Sequence, residues 1–260
     1  MTPPDQASRD EAGAEANRGR AQGIQDLLIG PDSDVFRAFE SRVSRFCPFE
    51  AIGMVHQEIR HAHFLGFVLD PNRPHAFQDD FLKLFLQRMV AESREGQASL
   101  QPLEIHCADF NNAQVFRERA DIDILIEVPA TQGRQGLVVA IELKIHASES
   151  QHQLGKYRDW VLDAYPVHDW QHQFVFLTLD ATPPSAANED HWIPVGLRDV
   201  LDDWDRAVEA NGHTGDAAEL YRKYALMIRR HLVKDEELAT LARKIWAKHK
   251  EALDVLYEHK

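Results

Sequence analysis

The sequence predicts an α/β fold: a mixed central sheet flanked by helices, with helical additions at both the amino and carboxy ends. Three observations carry that prediction. The run Leu137 to Ile145, LVVAIELKI, has seven apolar residues of nine, several of them β-branched, and reads as a buried strand. DIDILIEV at 121 to 128 precedes it across Gln132-Gly133-Arg134-Gln135-Gly136, a turn-forming stretch that makes the two a hairpin. Segments with helical apolar spacing lie on both sides of the pair.

The elements follow in order. Residues 1 to 23 are rich in Ala, Gly and polar side chains, contain no apolar stretch like that of a signal peptide, and read as a disordered tail. Helices are expected over 34 to 46, 50 to 69 and 78 to 94; the second stops at Asp70-Pro71, where proline disfavours helical backbone in the preceding residue. Strands are expected at about 102 to 109, 113 to 119, 120 to 128 and 137 to 145. Ser150 can cap a helix running to about Tyr165, and QFVFLTLD at 173 to 180 returns as an apolar strand. Beyond Pro194 the pattern is helical, near 197 to 211, 216 to 234 and 235 to 258.

Composition bounds the function. A chain of 260 residues with 44% apolar content can bury one large core, alone or with an appendage. No apolar stretch approaches the length needed to span a bilayer. With no export signal and only Cys47 and Cys107, outside any CxxC spacing, the expected compartment is the reducing cytoplasm, and both cysteines read as buried apolar-like side chains. The net charge of −13 argues against a generic nucleic-acid coat protein. From Arg222 to Lys250, however, nine Lys or Arg stand against three Asp or Glu. On a helical wheel Tyr221, Tyr224, Ile228 and Leu232 form one face, with Arg222, Lys223, Arg229, Arg230 and Lys234 nearly opposite. That stripe is either a solvated face balancing nearby acids or a surface that tracks phosphates.

The chemistry lies in the hairpin. A period of two puts Val138, Ala140, Glu142 and Lys144 on one face of the second strand. An uncompensated charge in such a strand costs several kcal/mol, so a partner, a metal or solvent must compensate it. On the first strand Asp121, Asp123 and Glu127 share a face with Leu125, and hairpin pairing brings Asp123 toward Glu142 and Lys144. Neighbouring carboxylates repel unless a cation lies between them, and hard oxygen ligands suit Mg²⁺ or Mn²⁺. Such an ion polarises a phosphodiester and acidifies water, while Lys144 orients the attacking water or stabilises developing charge. The competing reading is an ordinary cross-strand salt bridge.

The order helix, strand, strand hairpin, helix, strand, with Asp123 on one hairpin strand and Glu142-Leu143-Lys144 on the next, resembles the core of the PD-(D/E)XK nuclease superfamily. Two stretches resemble a bacterial branch of it: EIRHAHFLGFVLDPNRPHAFQDDFLKLFL beginning at Glu58, and DIDILIEV with IELKIHASESQHQLGKY at 141 to 157. The resemblance implies a restriction-endonuclease-like core at 24 to 195 with a helical extension at 196 to 260 packed on it. It implies Asp123 and Glu142 as metal ligands, the Leu143 carbonyl as a further ligand, Lys144 as catalytic lysine, and Glu58 as the acid from the first core helix. Gln153 and Tyr157, four apart on one helical face, match the branch's glutamine and tyrosine and would fix the lysine or a substrate phosphate. Ile122 stands where the superfamily's name has proline.

That resemblance implies a Mg²⁺- or Mn²⁺-dependent endonuclease acting on DNA, in defence against mobile DNA or in repair. An RNA-directed nuclease, or an inactive nucleic-acid-binding or assembly module on the same fold, are the alternatives; a homodimer or a partner protein stays open. Among the remaining candidates, His61 either lines the cleft as a substrate contact or hydrogen-bonds in the core, and His75 is structural or substrate-facing. Asp121 is solvated or supports the site, Arg229 and Arg230 are the substrate contacts of the basic stripe, and the five tryptophans pack the later helices.

Overall fold

The computed structural model describes residues 18, 19, 21–131, 133–145, 152–232 and 236–258. The helices ahead of the sheet are α1 (Ser33–Val43), α2 (Pro48–Ala51), α3 (Glu58–Leu69), α4 (Asp80–Glu92) and α5 (Pro102–Cys107). Strands β1 (Gln114–Arg119), β2 (Ile122–Val128) and β3 (Gly136–Lys144) follow, then α6 (Gln153–Ala164), β4 (Trp170–Thr178) and β5 (Ile193–Gly196). The chain finishes with α7 (Leu197–Ala210), α8 (Asp216–His231) and α9 (Glu236–Glu258). Residues 21–28 are helical as well; the earlier part of the expected tail, 1–17, lies outside the described residues, as does Ser150. No described helix is long and apolar enough to cross a membrane.

Contacts divide the chain into two compact units, Cys47–Val233 and the pair of segments Met1–Phe46 with Lys234–Lys260. In the smaller unit α1 packs against α9. Asp32, just ahead of α1, accepts a hydrogen bond from Lys248 Nζ at 2.8 Å and pairs with His249 Nε2 at 3.0 Å. By these contacts α7 and α8, read from the sequence as part of an extension, fall within the larger unit.

The larger unit is built on a five-stranded sheet in the order β1-β2-β3-β4-β5. The β1–β2 and β2–β3 pairs are antiparallel, and β3–β4 and β4–β5 are parallel. The β3–α6–β4 crossover explains the near-continuous apolar sequence of β3, whose residues are buried on both faces except at Lys144. One face, carrying Ile124, Val139, Ile141, Val175 and Val195, packs on the helical side with Leu65, Phe81, Leu201 and Tyr224. The other, carrying Leu125, Ala140, Phe174 and Phe176, is covered by Leu154, Tyr157 and Val161 of α6. The α3 helix runs close to β1 at Gly66, where a Cβ would lie 3.0 Å from the Arg117 side chain. Glu58, at the start of α3, lies at the end of β3.

Three elements differ from expectation. The segment read as a strand at 102 to 109 is the helix α5, because Pro102 stands at its first turn and Gln101 and Glu104 form a reciprocal capping box. The single helix expected over 50 to 69 is two, interrupted near Gly53, whose φ of +68° is left-handed backbone. Strand β5 falls between the strand expected at 173 to 180 and the helix expected near 197, where no element was expected; it is short, and its Pro194 is accommodated because β5 forms the sheet edge. Cys47 is buried as expected, but Cys107 is exposed. Trp192 and Trp204 are fully buried, Trp160 and Trp170 partly so, and Trp246 is half exposed.

The turn after α3 is held by His75, which is buried. Its Nε2 lies 2.8 Å from the Asp70 carbonyl, and its Nδ1 accepts the Phe77 N–H at 3.1 Å. Both bonds are satisfied by the neutral ring with its proton on Nε2. Burial holds the imidazole below its ordinary value of 6.5, outweighing the Asp70 carbonyl that favours the cation. The unfolded chain therefore takes up a proton that the folded ring resists. Stability is complete above the ordinary histidine value and declines as pH falls through it. Urea midpoints at pH 7.5 and 5.5 should show a larger drop for wild type than for His75→Gln; equal drops would exclude this residue as the source.

Candidate active site

The β2–β3 register pairs Ile124 with Ile141, and one further step sets Asp123 opposite Glu142. Asp123 Oδ2 accepts the Leu143 N–H at 2.8 Å, taking the place of a ladder bond at the hairpin's open end. Beside it, Glu58 Oε1 accepts the Ile145 N–H at 2.8 Å. The α3 helix, which opens with this glutamate, is thereby joined to the sheet.

Glu142 is the centre of the cluster and is 1% exposed. Its Oε1 is 2.7 Å from Lys144 Nζ and accepts Gln153 Nε2 at 2.9 Å. The Gln153 amide also donates to the Tyr157 hydroxyl at 2.8 Å, across one turn of α6. Glu142 Oε2 and Gln153 Oε1 are buried and have no hydrogen-bond partner among the described residues. Orphaned buried oxygens of this kind are costly and call for a ligand.

The electrostatics agree with crowding of like charge. Burial, followed by the Asp123 carboxylate, pushes Glu142 up to about 7, against the pull of Lys144. Burial also raises Asp123, although the Leu143 N–H and the Lys144 charge oppose it. Burial works against the charged form of Lys144, yet the carboxylates of Glu142, Asp123 and Glu58 outweigh it and raise the lysine overall. Tyr157 is raised by burial and by Glu142, Asp123 and Asp121, with Gln153 opposing.

The chain matches the family model described as the PD-(D/E)XK nuclease superfamily over residues 48–248. It belongs to that superfamily. Membership implies phosphodiester-cleaving chemistry on a nucleic acid, and nucleases of this superfamily generally use divalent metals. No curated protein and no solved structure gives a match.

Asp123, Glu142 and Glu58 fit a divalent ion by chemistry: their oxygens are hard carboxylate ligands, and Glu142 Oε2 is buried without a hydrogen-bond partner among the described residues. They are not arranged as a ready cage, since no set of three His, Cys, Asp or Glu among the described residues is placed to hold one. The reason is visible in the hydrogen bonds. Lys144 occupies Glu142 Oε1, while the N–H groups of Leu143 and Ile145 hold one oxygen each of Asp123 and Glu58.

The structure thus brings together Glu58, Asp123, Glu142, Lys144, Gln153 and Tyr157, with Leu143 contributing its N–H. It does not bring in His61, which is fully buried, with Nδ1 3.1 Å from the Tyr224 hydroxyl and Nε2 3.1 Å from the Val55 carbonyl. A substrate contact is closed to this ring, and the core reading stands. Arg229 is bound to Asp202 and Asp205, each at 2.7 Å, and Arg230 to Glu50 at 2.8 Å. These arginines of the stripe are engaged by acids of α7 and α2 rather than displayed to phosphates; Lys234 lies outside the described residues. Asp121 is exposed and bonded to Lys156 at 2.8 Å. Glu127 binds Arg119 at 2.5 Å and the Tyr165 hydroxyl, a separate polar cluster further along the sheet.

Sequence reasoning missed Glu118. Its carboxylate is close enough to Asp123 to disfavour the charged form there, and its φ of +57° is left-handed backbone. The signal available was an acid one residue from the end of β1, but an exposed acid there is ordinarily a solvated one.

Proposed function

We propose that this chain is a divalent-metal-dependent endonuclease that hydrolyses DNA, with Mg²⁺ or Mn²⁺ as its ion, and that it acts in defence against mobile DNA or in repair. The observation that carries the reading is Glu142: a buried carboxylate joined to Lys144 and Gln153, beside Asp123, with one oxygen lacking a partner. A salt bridge to Lys144 alone leaves that oxygen without a use.

Asp123, Glu142 and the Leu143 carbonyl, with Glu58, would hold the ion. Its chemistry is neutralisation of charge on the scissile phosphate and acidification of the attacking water. Lys144 contributes an ammonium that keeps its proton and stabilises the negative charge developing on phosphate oxygens. Gln153 orients Glu142 and Tyr157, and the apolar contacts of Leu154 and Val161 keep α6, and hence Gln153, in place against the sheet. The chain's net charge of −13 repels a polyanion, so the ion and the Lys144 ammonium have to offset that repulsion at the cleft.

The test is a substrate panel. Purified protein with Mg²⁺ or Mn²⁺ is incubated with plasmid, single-stranded DNA and RNA, and products are resolved by electrophoresis. Cleavage of DNA with RNA spared is the expected result. Preferential cleavage of RNA would reassign the substrate to the ribose polymer, and inactivity on all three would favour a binding or assembly module.

A further inference from the structure

Thr178 ends β4 directly beside Lys144. The two are register partners in the parallel β3–β4 ladder, so their Cα atoms stand at the ~4.8 Å spacing of adjacent strands and their side chains share a face. That face is the one bearing Glu142: Phe174 and Phe176 pack with α6, whereas Val175 and Leu177 pack on the opposite side. Thr178 is 6% exposed, and its hydroxyl oxygen is buried with no hydrogen-bond partner among the described residues. A hydroxyl in that condition costs stability, and valine would fill the same space without the cost. Packing therefore does not explain the threonine.

Lys144 supplies the explanation. Its ammonium lies 2.7 Å from Glu142 Oε1. A carboxylate that turns toward a divalent cation cannot keep an ammonium at that distance without repulsion between the two positive charges. The displaced ammonium needs another acceptor, and the lysine's four-carbon stem reaches the neighbouring strand. We propose that Thr178 is a positioning residue of the hydrolytic site: its hydroxyl accepts a hydrogen bond from the Lys144 ammonium when Glu142 engages a cation, and so fixes the lysine beside the scissile phosphate. This rests on the nuclease reading above.

The test compares Thr178→Val and Thr178→Ser with wild type in three measurements. Turnover of the cleaved polymer should fall by ~10-fold or more in Thr178→Val, with KM unchanged, and return to within about threefold of wild type in Thr178→Ser. Urea unfolding of metal-free protein should show Thr178→Val at least as stable as wild type, a result that separates positioning from folding. The ¹⁵N ammonium resonance of Lys144, assigned by its loss in Lys144→Arg, should move on adding Ca²⁺ to one position in wild type and Thr178→Ser and to a different one in the valine variant. Wild-type turnover by Thr178→Val, or the same resonance movement in it, would overturn the assignment of Thr178. Should wild type cleave no polymer, the nuclease reading fails, and the resonance still decides whether Lys144 transfers to Thr178.

Discussion

Replacing Lys144 with alanine is expected to lower nucleic-acid cleavage by about two to four orders of magnitude while changing the stability of the fold by only about 1 kcal/mol. The activity loss follows from removing the ammonium that lies at the cluster's centre, 2.7 Å from Glu142. Stability is the less obvious half. Removing one member of a buried ion pair commonly costs 3–5 kcal/mol, because an unpaired charge stays behind. Here burial and Asp123 already push the Glu142 carboxyl up to about 7, well toward its neutral form. Loss of the lysine tips it to the neutral acid, and no uncompensated charge is left in the strand. Single-turnover cleavage and urea unfolding on the same preparation check both halves. A variant that cleaves like wild type removes Lys144 from the mechanism; one that unfolds would mean the pair is structural.

Trp204→Ala is expected to destabilise the larger unit by about 3–5 kcal/mol, a substantial part of the roughly 5–15 kcal/mol that holds an ordinary domain together. The indole is fully buried and stacks on Phe81 with ring centroids 4.5 Å apart and planes at 9°. Phe81 in turn stacks on Phe77 at 4.2 Å, and Tyr221 closes the group edge-on to Phe81 at 5.1 Å. The indole N–H also donates to the Phe81 carbonyl at 3.0 Å, so truncation opens a cavity and removes a buried hydrogen bond together. Thermal unfolding should fall by about 6–20 °C, since about 2–4 °C is lost per kcal/mol in a unit of this size. Trp204→Phe, which keeps an aromatic ring, should lose less than half as much. A midpoint within a degree or two of wild type for the alanine variant would show that this stack is not a principal support of the α4–α7 packing.

The central hairpin was legible because its energetics are written in period two. Buried β3 admits Glu142 and Lys144 on one face only, and β2 has just Asp123 to offer opposite them. Gln153 and Tyr157 were reached through the resemblance to the branch's glutamine and tyrosine, and their separation by one turn then put them on one face. Elsewhere local pattern pointed the wrong way. Leu103, Glu104, Ile105 and His106 alternate like a strand, but the helix is decided at its start, where Pro102 and the Gln101–Glu104 capping box satisfy the first turn. Strand β5 is too short to show periodicity and exists because β4 offers it an edge. The arginine stripe is a property of one helix in the sequence and of three elements in the fold. Asp202, Asp205 and Glu50, distant in the chain, decide what Arg229 and Arg230 do. His61 has the same history: its partner Tyr224, distant in the chain, becomes visible only when α8 packs on α3.

The claim that Asp123, Glu142 and Lys144 form a metal-dependent hydrolytic site is tested most directly by titrating Mg²⁺ into wild type and Glu142→Ala with plasmid DNA as substrate. Glu142 is the residue to change, because its orphaned oxygen is the feature that separates a metal site from a salt bridge. The predicted result is wild-type cleavage that rises with Mg²⁺ and stops on chelation, with Glu142→Ala slower by about three orders of magnitude at every concentration. Cleavage by Glu142→Ala at the wild-type rate, with the same Mg²⁺ dependence, would contradict it.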